Sequence, residues 1–415
     1  MKKLLIIIGA GASLDFGMPS VRQIDELFEK WAKENFPLLD DPNKSLYTWV
    51  KENLHAYASQ NSQNRIDAIV NFESLLYTIQ SLSAISNDIY WKHCNYKLNP
   101  FIELKEFPKI RSFRTEKVAD GNDFHFLQSF LVDKLLDHMR KKCQTLVKDK
   151  TKEIKKLRKF LTSLKNEFEI GFINLNYDNV ILTALPDLKT GFNNQTGKFD
   201  RDSLHNPSWN FCYHIHGSVH FDMKGGDRVE MHKILWNKDL TSQFSQNSSG
   251  RSSNYTSEGL QHLNSSIIAG LDKTNQLLRE PFGPYYMKLD QLVHESDSVL
   301  FIGYGFSDLH LNSVFPYIRY DESKKRKVVI IDWASDNEDG LNFRHDGWSF
   351  GISSTLPFNG FEMGNGQDAI PHPAIHYKKR NLLEKSSNPD LPLALWYNGL
   401  MDACKNVNLI IDELN

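Results

Sequence analysis

Four short strings in this chain set polar groups at the ends of apolar runs, three of them beside glycines, where chemistry can be done. The first is Gly9-Ala10-Gly11-Ala12-Ser13, which follows the aliphatic run Leu4 to Ile8. A glycine-rich turn at the carboxyl end of a buried parallel strand lets backbone approach a diphosphate, with the next helix's N-terminus aimed at it. The second is Asn176-Tyr177-Asp178, closing the apolar stretch Ile170 to Asn174. The third is His214-Ile215-His216-Gly217, closing a stretch that begins at Phe211. Histidine titrates near neutrality, so an imidazole at a strand end suits proton transfer. The fourth is Gly303-Tyr304-Gly305-Phe306-Ser307-Asp308, after Ser298 to Ile302; Asp332 closes a further strand from Val328.

Each string also has a plainer reading. Gly9 to Ser13 reads as a tight strand-to-helix turn, since Leu14 stands where the common dinucleotide fingerprint has its third glycine. Asn176 and Asp178 read as caps of a helix beginning at Asn179, and Asp308 as the cap of one beginning at Leu309. Asp332 reads as an ordinary strand-end turn residue, and His214 as a packed histidine. Period two puts Cys212, His214 and His216 on one strand face, with His220 following, which is a metal-site pattern. No second cluster supplies the remaining ligands.

The elements that must position these groups are a sheet and a long helical block. At 415 residues, two or three units are expected. Beyond Gly17 and Pro19, which delay the first helix, Ile24, Leu27, Phe28 and Trp31 recur at helical spacing. Between 32 and 165 the pattern is almost wholly helical, with loops marked by Pro100 and Pro108: Leu46 to Ala58, Ile66 to Ile85, Phe124 to Val147 and Lys152 to Leu164. Further helices are expected over Leu260 to Leu278 and Tyr285 to Glu295. Residues 243–258 are of low complexity and read as a surface loop. The expected domains are 1–31 with 166–336, a helical insertion over 32–165, and a C-terminal extension over 337–415. The fold class is α/β: a Rossmann-like parallel sheet with a large helical insertion.

Net charge is −2, which supplies no nucleic-acid footprint, and the basic runs at 141–159 and 324–327 read as solvated faces. No apolar run reaches the eighteen residues of a membrane span. A strand starting at residue 4 leaves no room for a signal peptide. Cys94, Cys143, Cys212 and Cys404 are far apart with no CxxC, against a zinc site or a disulfide scaffold. The expected location is the cytoplasm, with neither a membrane nor nucleic acid as a direct partner.

The first twenty-two residues resemble the sirtuin opening, GAGxS followed by SGIPDFR. Gly9, Ala10, Gly11, Ser13, Gly17, Pro19 and Arg22 fall in register, with Ser20 and Val21 replacing the family's Asp and Phe. Asn176-Tyr177-Asp178 is similar to the sirtuin N-I-D, and Ile215-His216-Gly217 to its L-H-G. The order of the parts is also the sirtuin order, over roughly residues 1–30 and 166–336. The resemblance implies NAD+ as substrate, with Asn176 holding the nicotinamide ribose and a water and His216 acting as general base. It implies contacts to NAD+ from Gly9, Ala10, Gly11, Ser13, Asp15, Pro19, Arg22, Asp178, Gly303, Gly305, Ser307 and Asp332. Asp178 would bond the nicotinamide carboxamide.

Sirtuin deacetylases carry a four-cysteine zinc ribbon that helps build their peptide groove; this chain has no such module, and no metal is expected. It looks more like the sirtuin-like NADases of bacterial antiphage defence, which split NAD+ into nicotinamide and ADP-ribose. That resemblance implies a restraining partner, best matched by a HerA-type ATPase, with a short Argonaute as the alternative. A homo-oligomer is expected through helices such as Phe124 to Leu136 or Leu391 to Ile411. The competing readings are an NAD- or ADP-ribose-sensing module without turnover, and an NAD-dependent protein deacylase.

Overall fold

Lys2–Ile8 forms strand β1, and its aliphatic side chains from Leu4 onward are buried. A run apolar on both faces is stable only between two covering layers, and each side chain so buried contributes roughly 2 kcal/mol. The computed structural model describes residues 1–61, 70–85, 111, 116, 119, 121–205, 208–223, 233–244, 254–255, 261–263, 265–270, 273–277, 279–321, 323–333, 348–356, 383–385 and 392–415. The chain divides into two compact units: residues 1–18, 142–218 and 281–415 form the first, and 19–141 with 219–280 the second.

The first unit is built on a sheet. β2 (Phe168–Asn174), β3 (Asn210–His214), β8 (Ser298–Ile302), β9 (Lys327–Ile331) and β11 (Leu393–Trp396) join β1 in parallel, and β10 (Glu384–Lys385) adds an antiparallel edge. Across the sheet the order is β10-β11-β9-β8-β1-β2-β3. The six parallel strands, taken in chain order, therefore run 3-2-1-4-5-6, the doubly wound order. Its switch point lies between β1 and β8, where such folds open a crevice at the carboxyl ends of the strands. The register aligns those ends: Ile8 pairs with Asn174 and Ile302, Asn174 with His214, and Ile302 with Ile331.

Short strands β4 (Phe221–Met223), β5 (Ile234–Trp236), β6 (Asn254–Tyr255) and β7 (Gln261–His262) form two hairpin ladders in the second unit. Its helices include α1 (Val21–Asn35), α2 (Leu46–Asn61) and α3 (Phe72–Ile85). Phe28 of α1 meets Tyr47 and Phe72 edge-on, at centroid distances of 6.0 and 5.8 Å. The long α4 (Gly121–Asp149) contributes Arg140, which donates from Nε to the Val219 carbonyl and from Nη2 to the Phe221 carbonyl, each at 3.0 Å. That ties β4 to the helix, and burial lowers the guanidinium's pKa to about 10.

The start of α1 is set by a capping box. Ser20 Oγ accepts from the Gln23 amide at 3.2 Å, and Gln23 Oε1 accepts from the Ser20 amide at 2.9 Å. Ser20→Ala removes one half of this exchange. We expect it to lower stability by about 1 kcal/mol, read as a shifted urea midpoint with an unchanged slope.

In the first unit, α5 (Thr151–Glu167) leads into β2; α6 (Val180–Ala184) and α7 (Arg201–His205) follow β2, and α8 (Lys273–Gln276) belongs to the second unit. Then come α9 (Phe282–Glu295), α10 (Leu309–Asn312), α11 (Tyr317–Tyr320), α12 (Trp348–Thr355), α13 (Leu400–Ala403) and α14 (Val407–Leu414).

Three expectations need correction. The helix expected over Leu260 to Leu278 is confined, among the described residues, to α8. Gln261–His262 is extended, and Gly270 takes φ +90, which ends helical geometry. The helix expected from Ile66 starts at Phe72, because Asn71 Oδ1 accepts from the amides of Glu73 and Ser74; residues 62–69 lie outside the described set. Leu391 to Ile411 is no continuous amphipathic helix. It supplies β11, whose four apolar residues are all buried, and then two short helices. Phe124, Leu127, Leu131, Leu135 and Leu136 are buried within the chain. Most of the low-complexity stretch 243–258, and Cys94, also lie outside the described residues.

Candidate functional site

The turns after β1 and β8 pack backbone against backbone at the switch point. Gly9 donates to the Ile302 carbonyl at 2.9 Å, Gly11 to the Gly303 carbonyl at 3.0 Å, and Ala12 to the Gly9 carbonyl at 3.0 Å. There is no room for a side chain here. A Cβ at Gly9 would lie 2.4 Å from the Gly303 oxygen, and one at Gly303 would lie 2.2 Å from the Ala12 nitrogen. The glycines of both turns thus bring two strand ends together, and the amides of Gly9, Gly11 and Ala12 are engaged in that packing. Ala10–Phe16 winds into a 3₁₀ helix that buries Ser13 and leaves Asp15 exposed.

Asn176 joins this turn. Its Nδ2 donates to the Gly9 carbonyl and to Ser13 Oγ, both at 2.8 Å, and its own amide donates to Asn174 Oδ1 at 3.0 Å. The side chain is buried, so these bonds fix the amide orientation firmly. Asp178 lies beside it, also buried. Its Oδ1 accepts from the Val180 amide, the first of α6, at 3.0 Å, while Oδ2 is buried without a hydrogen bond of normal geometry. Burial raises the carboxyl's pKa, opposed by the nearby Ser13 hydroxyl and local amides.

A carboxyl with a raised folded pKa binds its proton more tightly in the native than in the unfolded state. Stability therefore falls as pH rises from the unfolded value, about 3.9, through the folded one, and the full cost persists above it. Asp178→Asn keeps an oxygen for the Val180 amide and removes the charge. We expect a higher melting temperature than wild type at pH 7, the gain disappearing in scans below about pH 4.

β3 ends at His214 and leads into His216. Gly171 of β2 lies opposite Phe211, and a Cβ there would fall 2.2 Å from the Phe211 ring, so the glycine makes room for it. Phe211 stacks on Tyr213 at 4.4 Å, and Tyr213 on Tyr285 of α9 at 5.1 Å. This ladder fixes α9 against the sheet and brings the next residue, Tyr286, to the strand end. His214 is packed, its Nδ1 3.3 Å from the Asn176 carbonyl and its Nε2 3.8 Å from Cys212 Sγ. His216, two residues past the strand, faces elsewhere. Its Nε2 lies 2.9 Å from the Tyr286 hydroxyl and 3.0 Å from Asp308 Oδ2.

Asp308 serves two partners. Oδ1 accepts from the amides of His310 and Leu311, capping α10 as its sequence position suggests, while Oδ2 meets the imidazole. β8 and β3 are three strand spacings apart, so the pair bridges about 14 Å across the ends of β1 and β2. Gly305 and Ser307, in the same turn, are exposed. Phe306 between them holds φ +53 with a buried ring, and the Tyr304 hydroxyl donates to Asn312 Oδ1 at 2.5 Å. Asp332 sits past β9, its Oδ1 accepting from the Trp333 amide at 2.7 Å.

Gly9, Ala10, Gly11, Ser13, Asp15, Asn176, Asp178, His216, Gly303, Gly305, Ser307 and Asp332 all belong to the first unit, whereas Pro19 and Arg22 fall in the second. The Arg22 guanidinium is exposed and pairs with Glu26 at 3.1 Å. The metal pattern over Cys212, His214, His216 and His220 is not assembled. His220 belongs to the second unit, stacks on Trp236 at 4.6 Å, and lies 2.8 Å from the Asn237 carbonyl; burial pushes it down to about 4. Among the described residues no three His, Cys, Asp or Glu side chains are grouped to hold a metal ion. No described helix is long and apolar enough to cross a membrane.

Tyr286 and the imidazole-facing oxygen of Asp308 carry no signal in the sequence. One lies 70 and the other 92 positions from His216, and only the fold brings them together.

No curated relative matches the chain. Among solved structures, a Sir2 homolog–NAD complex aligns over 79% of this chain and 77% of its own, at 10% identity and a TM-score of 0.29. That likeness is too slight to add to what the sheet order shows. Residues 171–347, which hold Asn176, His216, the β8 turn and the end of β9, match the family model described as a SIR2-like domain, and it is to that family that this stretch is similar.

Proposed function

We propose that the chain is an NAD+ hydrolase that splits NAD+ and water into nicotinamide, ADP-ribose and a proton. It would deplete NAD+ in antiphage defence under the restraint of a partner such as a HerA-type ATPase. One observation carries the chemistry. Asn176 and His216 stand two residues beyond the paired positions Asn174 and His214, on neighbouring strands, and Asn176 is bonded into the glycine turn at the switch point.

In this reading the pyridinium leaves with the electron pair of the C1′–N bond, and an oxocarbenium-like ribose develops. Asn176 holds the ribose and the attacking water; His216 takes the water's proton. The buried Oδ2 of Asp178 would accept from the carboxamide of nicotinamide. Fixed polar groups around a developing cation lower its barrier without reorganising.

The test uses full-length protein purified with whatever accompanies it from its host. NAD+ loss and nicotinamide release are followed by chromatography, with and without an acetylated peptide. Nicotinamide with ADP-ribose supports hydrolysis, O-acetyl-ADP-ribose would make it a deacylase, and bound NAD+ surviving intact overnight in an activated sample would make it a sensor.

A further inference from the structure

Resting on the hydrolase reading, we propose that Asp308 is the residue that positions His216 and sets its proton affinity. An ionised carboxylate only accepts hydrogen bonds. With Asp308 Oδ2 3.0 Å from Nε2, the imidazole carries its proton on Nε2, and its lone pair is at Nδ1. Asp308 is itself held: two α10 amides bind its other oxygen, and both side chains of the pair are about nine-tenths buried. A carboxylate so anchored keeps its geometry while the imidazole gains a charge.

When His216 accepts a proton at Nδ1 from the attacking water, the resulting imidazolium lies against that carboxylate. Asp308 and Tyr286 both face the imidazole. Behind Asp308 stands Tyr304, whose phenol burial holds well above its ordinary value, so it stays neutral and adds no competing charge. The Tyr286 hydroxyl oxygen accepts from the same Nε2–H, which steers the ring but stabilises a cation less than a carboxylate does.

Asp308→Asn separates charge from structure, because asparagine is an equally good N-cap and keeps an oxygen for the α10 amides. The His216 imidazole is followed by NMR in protein labelled at histidine, its signal assigned with His216→Gln. Removing an opposite charge at this range should lower the His216 titration midpoint by about one unit or more. The acid limb of the kcat–pH profile should move with it, and kcat should fall roughly 10²-fold or more with little change in KM. An unchanged midpoint in Asp308→Asn overturns the proposal.

Tyr286→Phe supplies the second measurement, including the case where Asp308→Asn does not fold. It leaves the carboxylate in place, so the midpoint should stay within about half a unit of wild type; a fall as large as the one expected for Asp308→Asn overturns the proposal. The two readings fail separately. A shifted midpoint with no nicotinamide from any form removes the hydrolase and leaves the pairing, whereas an active enzyme with an unshifted midpoint does the reverse.

Discussion

Asn176→Ala is expected to reduce nicotinamide release by roughly 10³-fold, with the protein still folded. The side chain has two tasks, and the substitution separates them by size. Its structural task is a pair of 2.8 Å donations to Gly9 O and Ser13 Oγ. Losing them costs about 1–3 kcal/mol, as each buried acceptor forfeits a partner. The chemical task we propose for it is to hold ribose and water in line. Misplacing a nucleophile that the site otherwise orients costs two to four orders of magnitude in rate. Asn176→Asp should be the worse folder of the two, since a carboxylate at the Nδ2 position meets the Gly9 carbonyl oxygen with no proton to share. Calorimetry beside the nicotinamide assay separates the effects. Activity that falls only in proportion to the unfolded fraction would leave Asn176 with a structural role alone.

The second large effect concerns the turns themselves. Gly303→Ala should destabilise the protein by about 2–5 kcal/mol, from two sources. An L residue at φ +60 carries left-handed strain of roughly 1–2 kcal/mol, and forcing extra volume into a tight contact adds about 1–3. The new Cβ would fall 2.2 Å from Ala12 N and 2.5 Å from Gly11 C, and backbone atoms cannot swing aside as a side-chain tip can. Gly305→Ala, two residues on, is the control. Its nearest neighbour would be Ser307 Oγ at 3.9 Å, so its stability should stay within about 0.5 kcal/mol of wild type. Chemical denaturation measures both; equal effects would show that the β1 and β8 turns are not packed as described.

Much of this was legible because parallel strands announce themselves as aliphatic runs and place polar residues at their carboxyl ends. Five of the six parallel strands, the Asp308 cap and both the Asn176 and His216 positions follow from that rule. β11 escaped it because Leu393 to Trp396 is too short a run for periodicity to separate strand from helix. The missed break at Gly270 has a similar origin: apolar spacing across Leu260 to Leu278 fits a helix until a positive φ interrupts it.

The glycines were half legible. Their spacing marks a turn that approaches something closely, and in the structure that something is the neighbouring turn's backbone. Asp308 shows the opposite limit. Its local reading as a cap was complete in itself, so nothing in the sequence pointed to a second partner contributed by a distant strand. Residues joined only by tertiary structure leave no periodic trace.

The most direct measurement of the central reading is nicotinamide released from NAD+ by activated wild-type protein, Asn176→Ala and His216→Ala, compared at equal folded concentration. We expect release from wild type and a loss of at least about 10²-fold in each variant. Release that persists in both variants, or wild-type protein that binds NAD+ under activating conditions and returns it intact, would contradict it.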